Sequence, residues 1–220
     1  MIAGVVFDLD GVLLDSEHLW DIARKALTEE RGGTWHDRAQ RDMMGMSSRE
    51  WSQYMHDQLG VPLSPQEISR ESVERVKALM NEDFPVLPGA QEAVMRLAER
   101  WPLALATSSN RPVIDYVLPK GGFAEFFRAT VSSEEVARGK PAPDVYLRAA
   151  DLLGLEPERC AAIEDSHNGI LSARAARMRV IAIPNKRYPP GQQALITTDA
   201  IIESIDLLTP EIVDPTIVPA

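Results

Sequence analysis

The sequence predicts an α/β protein: a doubly wound parallel sheet with a helical domain inserted after its first strand. Three observations carry this reading. Short, nearly continuous apolar runs recur at residues 2–7, 103–106, 129–131, 160–163, 180–183 and, more weakly, 200–202, as strands covered on both faces require. Helical patterns lie between most of them, and strands alternating with helices imply right-handed βαβ units. Residues 16 to 85 break that rhythm with helical stripes and no convincing strand, over a length far beyond a crossover loop of a few residues. The expected division is a core of residues 1–15 and 86–220 with a helical domain of residues 16–85.

Each element has its own local signal. The insertion opens on a stripe of Leu19, Ile22, Ala23, Ala26 and Leu27. Ser64-Pro65-Gln66-Glu67 reads as a capping box with proline at the first helical position. The chain returns to the core near residues 84–88. Pro88-Gly89 opens a helix in which Val94, Leu97, Ala98 and Trp101 recur at i, i+3, i+4, i+7, and Pro102 ends it. Pro143 suits the first residue of another helix, which Gly154 closes. The proline-rich patches near 184–190 and 210–219 read as a surface loop and a tail.

Composition narrows the function. Hydrophobic residues at 45% and charged residues at 25% of 220 are ordinary for a globular protein. Lys+Arg 23 against Asp+Glu 33 leaves a net charge of −10, which argues against a general binder of nucleic acid or anionic membranes. An anionic substrate would need local positive charge. Cys160 is the only cysteine, so no internal disulfide forms and a reducing compartment is expected. No signal peptide or membrane span is read, and the expected location is the cytoplasm.

The residues that carry chemistry lie just past the apolar runs, where an open parallel sheet builds its site. In extended chain, Asp8 and Asp10 point the same way while Leu9 turns inward. An aspartate can attack phosphorus, and a second carboxyl can protonate the leaving oxygen and later activate water. Gly11 permits a sharp turn beside a ligand. After the second run, the Thr107 hydroxyl and the N–H groups of Ser108 and Ser109 could hold phosphate oxygens, helped if a helix starts there. Lys140, framed by Gly139, Pro141 and Pro143, would offset charge on a transferring phosphate. Glu164 and Asp165 supply hard oxygen ligands suited to magnesium, with the Asp8 carboxylate and the Asp10 carbonyl completing the set and Glu164 acting through water. Alone, each segment also admits a plainer reading: turn aspartates, a helix cap, a solvated acidic strand end. His18, His36, His56 and His167 show no paired ligand spacing, so zinc is not expected.

Together, Asp-x-Asp-Gly, Thr-Ser-Ser, Gly-Lys-Pro and Glu-Asp-Ser in this order resemble the haloacid dehalogenase-like (HAD) superfamily. The insertion resembles its subgroup with an α-helical cap, which includes phosphoglycolate phosphatase-like and β-phosphoglucomutase-like enzymes. The resemblance implies a Rossmannoid core of five parallel strands and a cap that closes over substrate. It further implies Asp8 as nucleophile, Asp10 as acid/base, Thr107 and Lys140 as phosphate binders and Asp165 as a metal ligand. Gly45, Ser47, Ser48 and Arg49 are placed like the cap loop that reads the leaving group, with Arg49 able to pair with a second anion. The segment equally reads as a helix start with Ser47 as cap and Arg49 solvated, and Asn110 could point into the pocket or simply begin the helix. The mutases carry a hinge histidine five residues past the position of Asp15, where this chain has Trp20. Hydrolysis is therefore expected: a magnesium-dependent phosphatase of small phosphorylated metabolites, a monomer or weak homodimer. The rivals are an intramolecular phosphoryl transfer and a non-catalytic binding protein on the same fold.

Overall fold

The structure is a computed structural model, described here for residues 1–217. Strand β1 (Gly4–Phe7) is followed by four helices, α1 (Glu17–Glu30), α2 (Ala39–Met43), α3 (Ser48–Asp57) and α4 (Pro65–Glu82). Helix α5 (Ala90–Ala98), β2 (Leu103–Thr107), α6 (Arg111–Lys120) and β3 (Phe127–Ser132) follow. The chain continues through α7 (Asp144–Leu153), β4 (Cys160–Glu164), α8 (His167–Ala175) and β5 (Arg179–Ala182), then α9 (Gln192–Leu195), β6 (Ala200–Ile201) and α10 (Pro210–Val213). The strands form one parallel sheet in the order β3-β2-β1-β4-β5-β6.

Alternate side chains of each strand enter opposite cores, which is why the strand runs are apolar throughout. Val5, Phe7, Leu105, Ile163 and Ile181 pack against α5 and α6 through Val94, Leu97, Ile114 and Val117. Val6, Ala104, Ala106, Ala162 and Val180 pack on the other face against Val145 and Ala149 of α7 and Ile170 and Ala173 of α8. The sheet has six strands, where the resemblance implied five; the sixth is the weak run at 200–202, paired with β5 through Ile181 and Ala182.

Helices α1–α4 enclose Leu27, Met43, Trp51, Met55, Ile68, Val76 and Met80, and this core is continuous with that of the α5–α6 face. Ser64 and Ser47 each form a complete capping box, with Glu67 and Glu50. The two chain segments joining insertion to sheet are zipped together. Asp15 N donates to Pro85 O at 2.8 Å and Leu87 N to Leu13 O at 3.0 Å, around an antiparallel bridge of Leu14 with Val86.

Three local expectations change. The buried face of α1 is Leu19, Trp20, Ala23, Arg24, Leu27 and Thr28, while Ile22 is exposed; aromatic stacking around Arg24 turns the helix off the purely aliphatic stripe. Helix α6 starts at Arg111 and not at Thr107, because Pro112 fits its first turn and Asn110 is the extended residue before it. Residues 210–217 are no loose tail: Pro210 and Val213 are buried, and Asp214 accepts from Ile2 N at 2.7 Å. Residues 218 and 219 of that stretch lie outside the described residues.

Candidate active site

Asp8 is the first residue past β1, and its N–H continues the pairing by donating to Ile163 O at 3.0 Å. Gly11 has φ +80°, and any Cβ there would collide with the Asp165 carboxylate. Glycine is thus needed twice over, for the turn and for the approach of β4's end to β1's. Asp10 is held by three donors. Ser16 Oγ and Trp20 Nε1 donate to its Oδ1 at 2.5 and 3.2 Å, and Ser109 Oγ to its Oδ2 at 2.6 Å.

Behind Asp8 lies Lys140, which is 2% exposed. Its ammonium is 2.6 Å from Glu164 Oε1, a hydrogen bond, and 3.0 Å from Asp8 Oδ1. The second contact is off the hydrogen-bond direction, so it is coulombic and Asp8 Oδ1 keeps a buried, unpartnered lone pair. Burial pulls the Lys140 pKa down, but the Asp8 and Glu164 carboxylates more than offset it, and the ammonium is held above its ordinary value. Glu164 is fully occupied: Tyr146 OH also donates to Oε1 at 2.7 Å, and Oε2 accepts from Asp165 N, Ser166 N and Ser166 Oγ. Gly169 makes room for it, since a Cβ there would overlap the Glu164 carboxylate.

Asp8, Glu164 and Asp165 offer carboxylate oxygens within 4.8 Å of one another. Burial raises Asp8 well above the ordinary carboxylate range against the pull of the Lys140 ammonium, and burial and then the Glu164 charge raise Asp165 likewise. Three buried acids facing one ammonium, with an orphaned oxygen on Asp8, form a set that a divalent cation fits. Asp165 is steadied by Asn185, whose Nδ2 donates to its Oδ2 at 3.0 Å. Because both oxygens of Glu164 are engaged within the protein, Asp8 and Asp165 are the freer ligands.

The remaining sequence candidates are spread around this centre. Thr107 ends β2, and its Oγ1 accepts from Ser109 N at 3.0 Å, so that N–H is already used. Ser108 Oγ turns to the insertion and donates to Gly45 O at 2.8 Å. Ser47 caps α3, and Ser48 Oγ donates to Glu134 of the core at 2.5 Å. Asn110 Nδ2 bridges Ser69 of α4 and Glu134 at 2.9 and 3.0 Å. Asn168 Nδ2 donates to Met44 O at 2.9 Å. These contacts fasten the insertion to the sheet's C-terminal edge. Arg49 is exposed and lines an outer groove with Arg70, away from Asp10. His18 lies outside the centre, 3.7 Å from Asp15 Oδ1.

A cavity of about 30 Å³ between insertion and sheet is lined by Asp10, Gly45, Ser108 and Ser109 together with Glu17, Trp20 and Arg24 of α1. Sequence reasoning passed over Glu17 and Arg24, and also Ser16 and Tyr146. A signal existed for the first two: Glu17, Trp20 and Arg24 recur at i, i+3, i+7, one stripe of a helix.

Residues 5–183 match the family model described as haloacid dehalogenase-like hydrolase. The chain is 36% identical over 216 residues to hexitol phosphatase B of Escherichia coli (strain K12), covering 94% of this chain and 95% of that one. It is 33% identical to a probable pseudouridine-5'-phosphatase of Drosophila melanogaster, over 94% and 91% of the two chains. Among solved structures, CbbY from Rhodobacter sphaeroides in complex with phosphate superposes with a TM-score of 0.85 at 28% identity, covering 97% of this chain and 100% of that one. Among the described residues, no helix is long and apolar enough to cross a membrane.

Proposed function

Because the chain belongs to the haloacid dehalogenase-like hydrolase family, we propose that it hydrolyses small phosphomonoesters of the sugar-phosphate type, with Asp8 as nucleophile and Asp10 as acid and base. The phosphatase names of its relatives support the reaction class. The observation that carries the residue assignment is the convergence of Asp8, Lys140, Glu164 and Asp165 at the C-terminal ends of neighbouring strands, with Asp10 turned into the cavity beneath the insertion. Magnesium is the proposed cation, held by Asp8, Asp165 and the Asp10 carbonyl. When bound, it supplies charge stabilisation for the transferring phosphoryl group.

In this mechanism the Asp8 carboxylate attacks phosphorus and the P–O bond to the leaving alcohol breaks. Asp10 gives its proton to the departing oxygen, then takes one from the water that cleaves the aspartyl-phosphate. Ser16, Trp20 and Ser109 keep the Asp10 carboxyl in place for both transfers. Lys140, itself anchored by Glu164, balances charge at the nucleophile and phosphate. Thr107 and Ser108 are proposed to contact phosphate once the insertion has moved. Residues 16–85 act as a cap that excludes bulk water. The setting proposed is the cytoplasm, with the enzyme a monomer or weak homodimer.

The test is inorganic phosphate release from a panel of sugar and sugar-alcohol monophosphates, with magnesium and after its removal by chelation. Selective, magnesium-dependent release is the expected outcome. Conversion of a hexose 1-phosphate to its 6-isomer without phosphate release would replace this reading with an intramolecular transfer.

A further inference from the structure

Arg24 is a buried cation with almost nothing to hold it. It is 6% exposed and forms no ion pair among the described residues. Its one protein hydrogen bond is from Nη1 to Gln40 Oε1 at 3.2 Å, and its buried Nε has no partner. Trp20 and Trp51 flank the guanidinium, with ring centroids 4.6 and 4.4 Å from its carbon. The aromatic faces cover the plane of the guanidinium and leave its hydrogen-bonding edge as the available part. Gln40 links it to a carboxyl, donating through Nε2 to Glu17 Oε2 at 3.0 Å. Arg24, Glu17 and Asp10 line the same cavity, so this donor–acceptor pair sits beside the acid that would protonate a leaving group.

An unpartnered buried guanidinium is costly unless a ligand completes it. Building on the phosphatase reading, we propose that Arg24 and Glu17, coupled through Gln40, form the leaving-group subsite, and that it takes the hydroxyls of a neutral polyol. The carboxyl accepts from one hydroxyl and the guanidinium donates to a neighbouring one. A second anionic group fits less well. The one cation lies in the field of the Glu17 and Asp10 carboxylates, and the remaining walls, Met43, Met44, Met46 and Trp51, add no positive charge. Arg49, the cation expected to read such a group, faces the outer groove. The present cavity holds about one water molecule, so the insertion must swing outward to admit the polyol.

The experiment compares kcat/KM for a hexitol monophosphate and for para-nitrophenyl phosphate, which lacks hydroxyls, in the wild type and in Arg24→Met. A general loss shared by both substrates cancels in the ratio. The expected result is a fall of the hexitol-to-aryl ratio by about tenfold to a hundredfold, the usual worth of a charged hydrogen bond. A ratio within about threefold of wild type overturns the subsite. So does a wild type that prefers a hexose bisphosphate or phosphoglycolate and loses that preference in the variant, which would make Arg24 an anion reader. Arg24→Lys, which keeps the charge and loses the planar fork, is read on the same ratio and serves if Arg24→Met does not fold. If the wild type releases phosphate from no substrate, the phosphatase reading fails by itself. Calorimetric binding of the hexitol monophosphate against inorganic phosphate then tests the subsite. Tighter binding of the hexitol ester, lost in Arg24→Lys, sustains it, and equal affinities overturn it.

Discussion

Glu164 in the sheet and Arg24 in the insertion are both buried charges, and the protein surrounds them in opposite ways. Both oxygens of Glu164 are used, by Lys140, Tyr146, Ser166 and two backbone N–H groups. Those partners come from the end of its own strand and the elements packed against it. Arg24 has one protein partner and an orphaned Nε. Glu164 is therefore saturated before substrate arrives, as preorganised electrostatics require, and the open oxygen of the sheet's centre is Asp8 Oδ1. The insertion's polar stripe is incomplete until something fills the cavity. On the proposed reading, chemistry falls to the region around Glu164 and recognition to the region around Arg24.

The comparison can be broken most decisively at the sheet. Asp8→Asn should abolish phosphate release, since an amide is no nucleophile toward phosphorus; residual turnover near wild type would remove Asp8 from the mechanism. Asp10→Asn should lower kcat by about two to four orders of magnitude, the range of general acid–base catalysis. A loss below tenfold in a steady-state assay would reduce Asp10 to a structural part of its Ser16–Trp20–Ser109 network.

Smaller effects sharpen the contrast. Gly169→Ala thrusts a methyl group into the Glu164 carboxylate and should cost about 1–3 kcal/mol, as overpacking does, read as a lower midpoint in urea unfolding. An unchanged midpoint would show the Glu164 cluster to be compliant. Ser48→Ala removes one tie between insertion and Glu134. At about 1 kcal/mol for a hydrogen bond, it should change KM severalfold while leaving the unfolding midpoint nearly in place.

The last expected signal is a pH dependence. Burial, and then the Asp10 charge, raises the Glu17 carboxyl from 4.5 to about 7. Its folded state thus binds a proton that the unfolded chain has already lost, and stability falls as pH rises from about 4.5 through about 7. Glu17→Gln abolishes that loss. The variant's melting temperature relative to wild type, both in magnesium, should therefore rise between about pH 5 and about pH 8. A constant difference would mean that the Glu17 carboxyl titrates as in water.

The sheet was legible because its information is local. An apolar run followed by Asp8, Thr107 or Glu164 carries strand, strand end and chemistry within a few residues, and parallel pairing brings those ends together. Lys140 was readable from the glycine and prolines around it. What escaped depends on packing between distant elements. Nothing near Tyr146 signals that its hydroxyl meets Glu164 eighteen residues on. The true face of α1 follows from Trp51, a residue of α3 that stacks over Arg24. The sequence leaves the start of α6 open between Thr107 and Asn110, because hydroxyls after a strand resemble a helix cap; Pro112 and the extended Asn110 set the boundary.

The doubled hinge also has a kinetic meaning. Both strands of chain entering and leaving the insertion are hydrogen-bonded to each other, through Asp15 with Pro85 and Leu13 with Leu87. The two halves of the pocket are thus tethered partners that meet at an effective concentration in the millimolar range or above. At such concentrations modest contacts suffice to hold them together: Ser48 to Glu134, Ser108 to Gly45 and Asn168 to Met44. The same contacts are few, as the opening proposed for substrate entry and product release requires. On the proposed mechanism, turnover is thereby linked to a short list of hydroxyl and amide contacts at the seam between insertion and sheet.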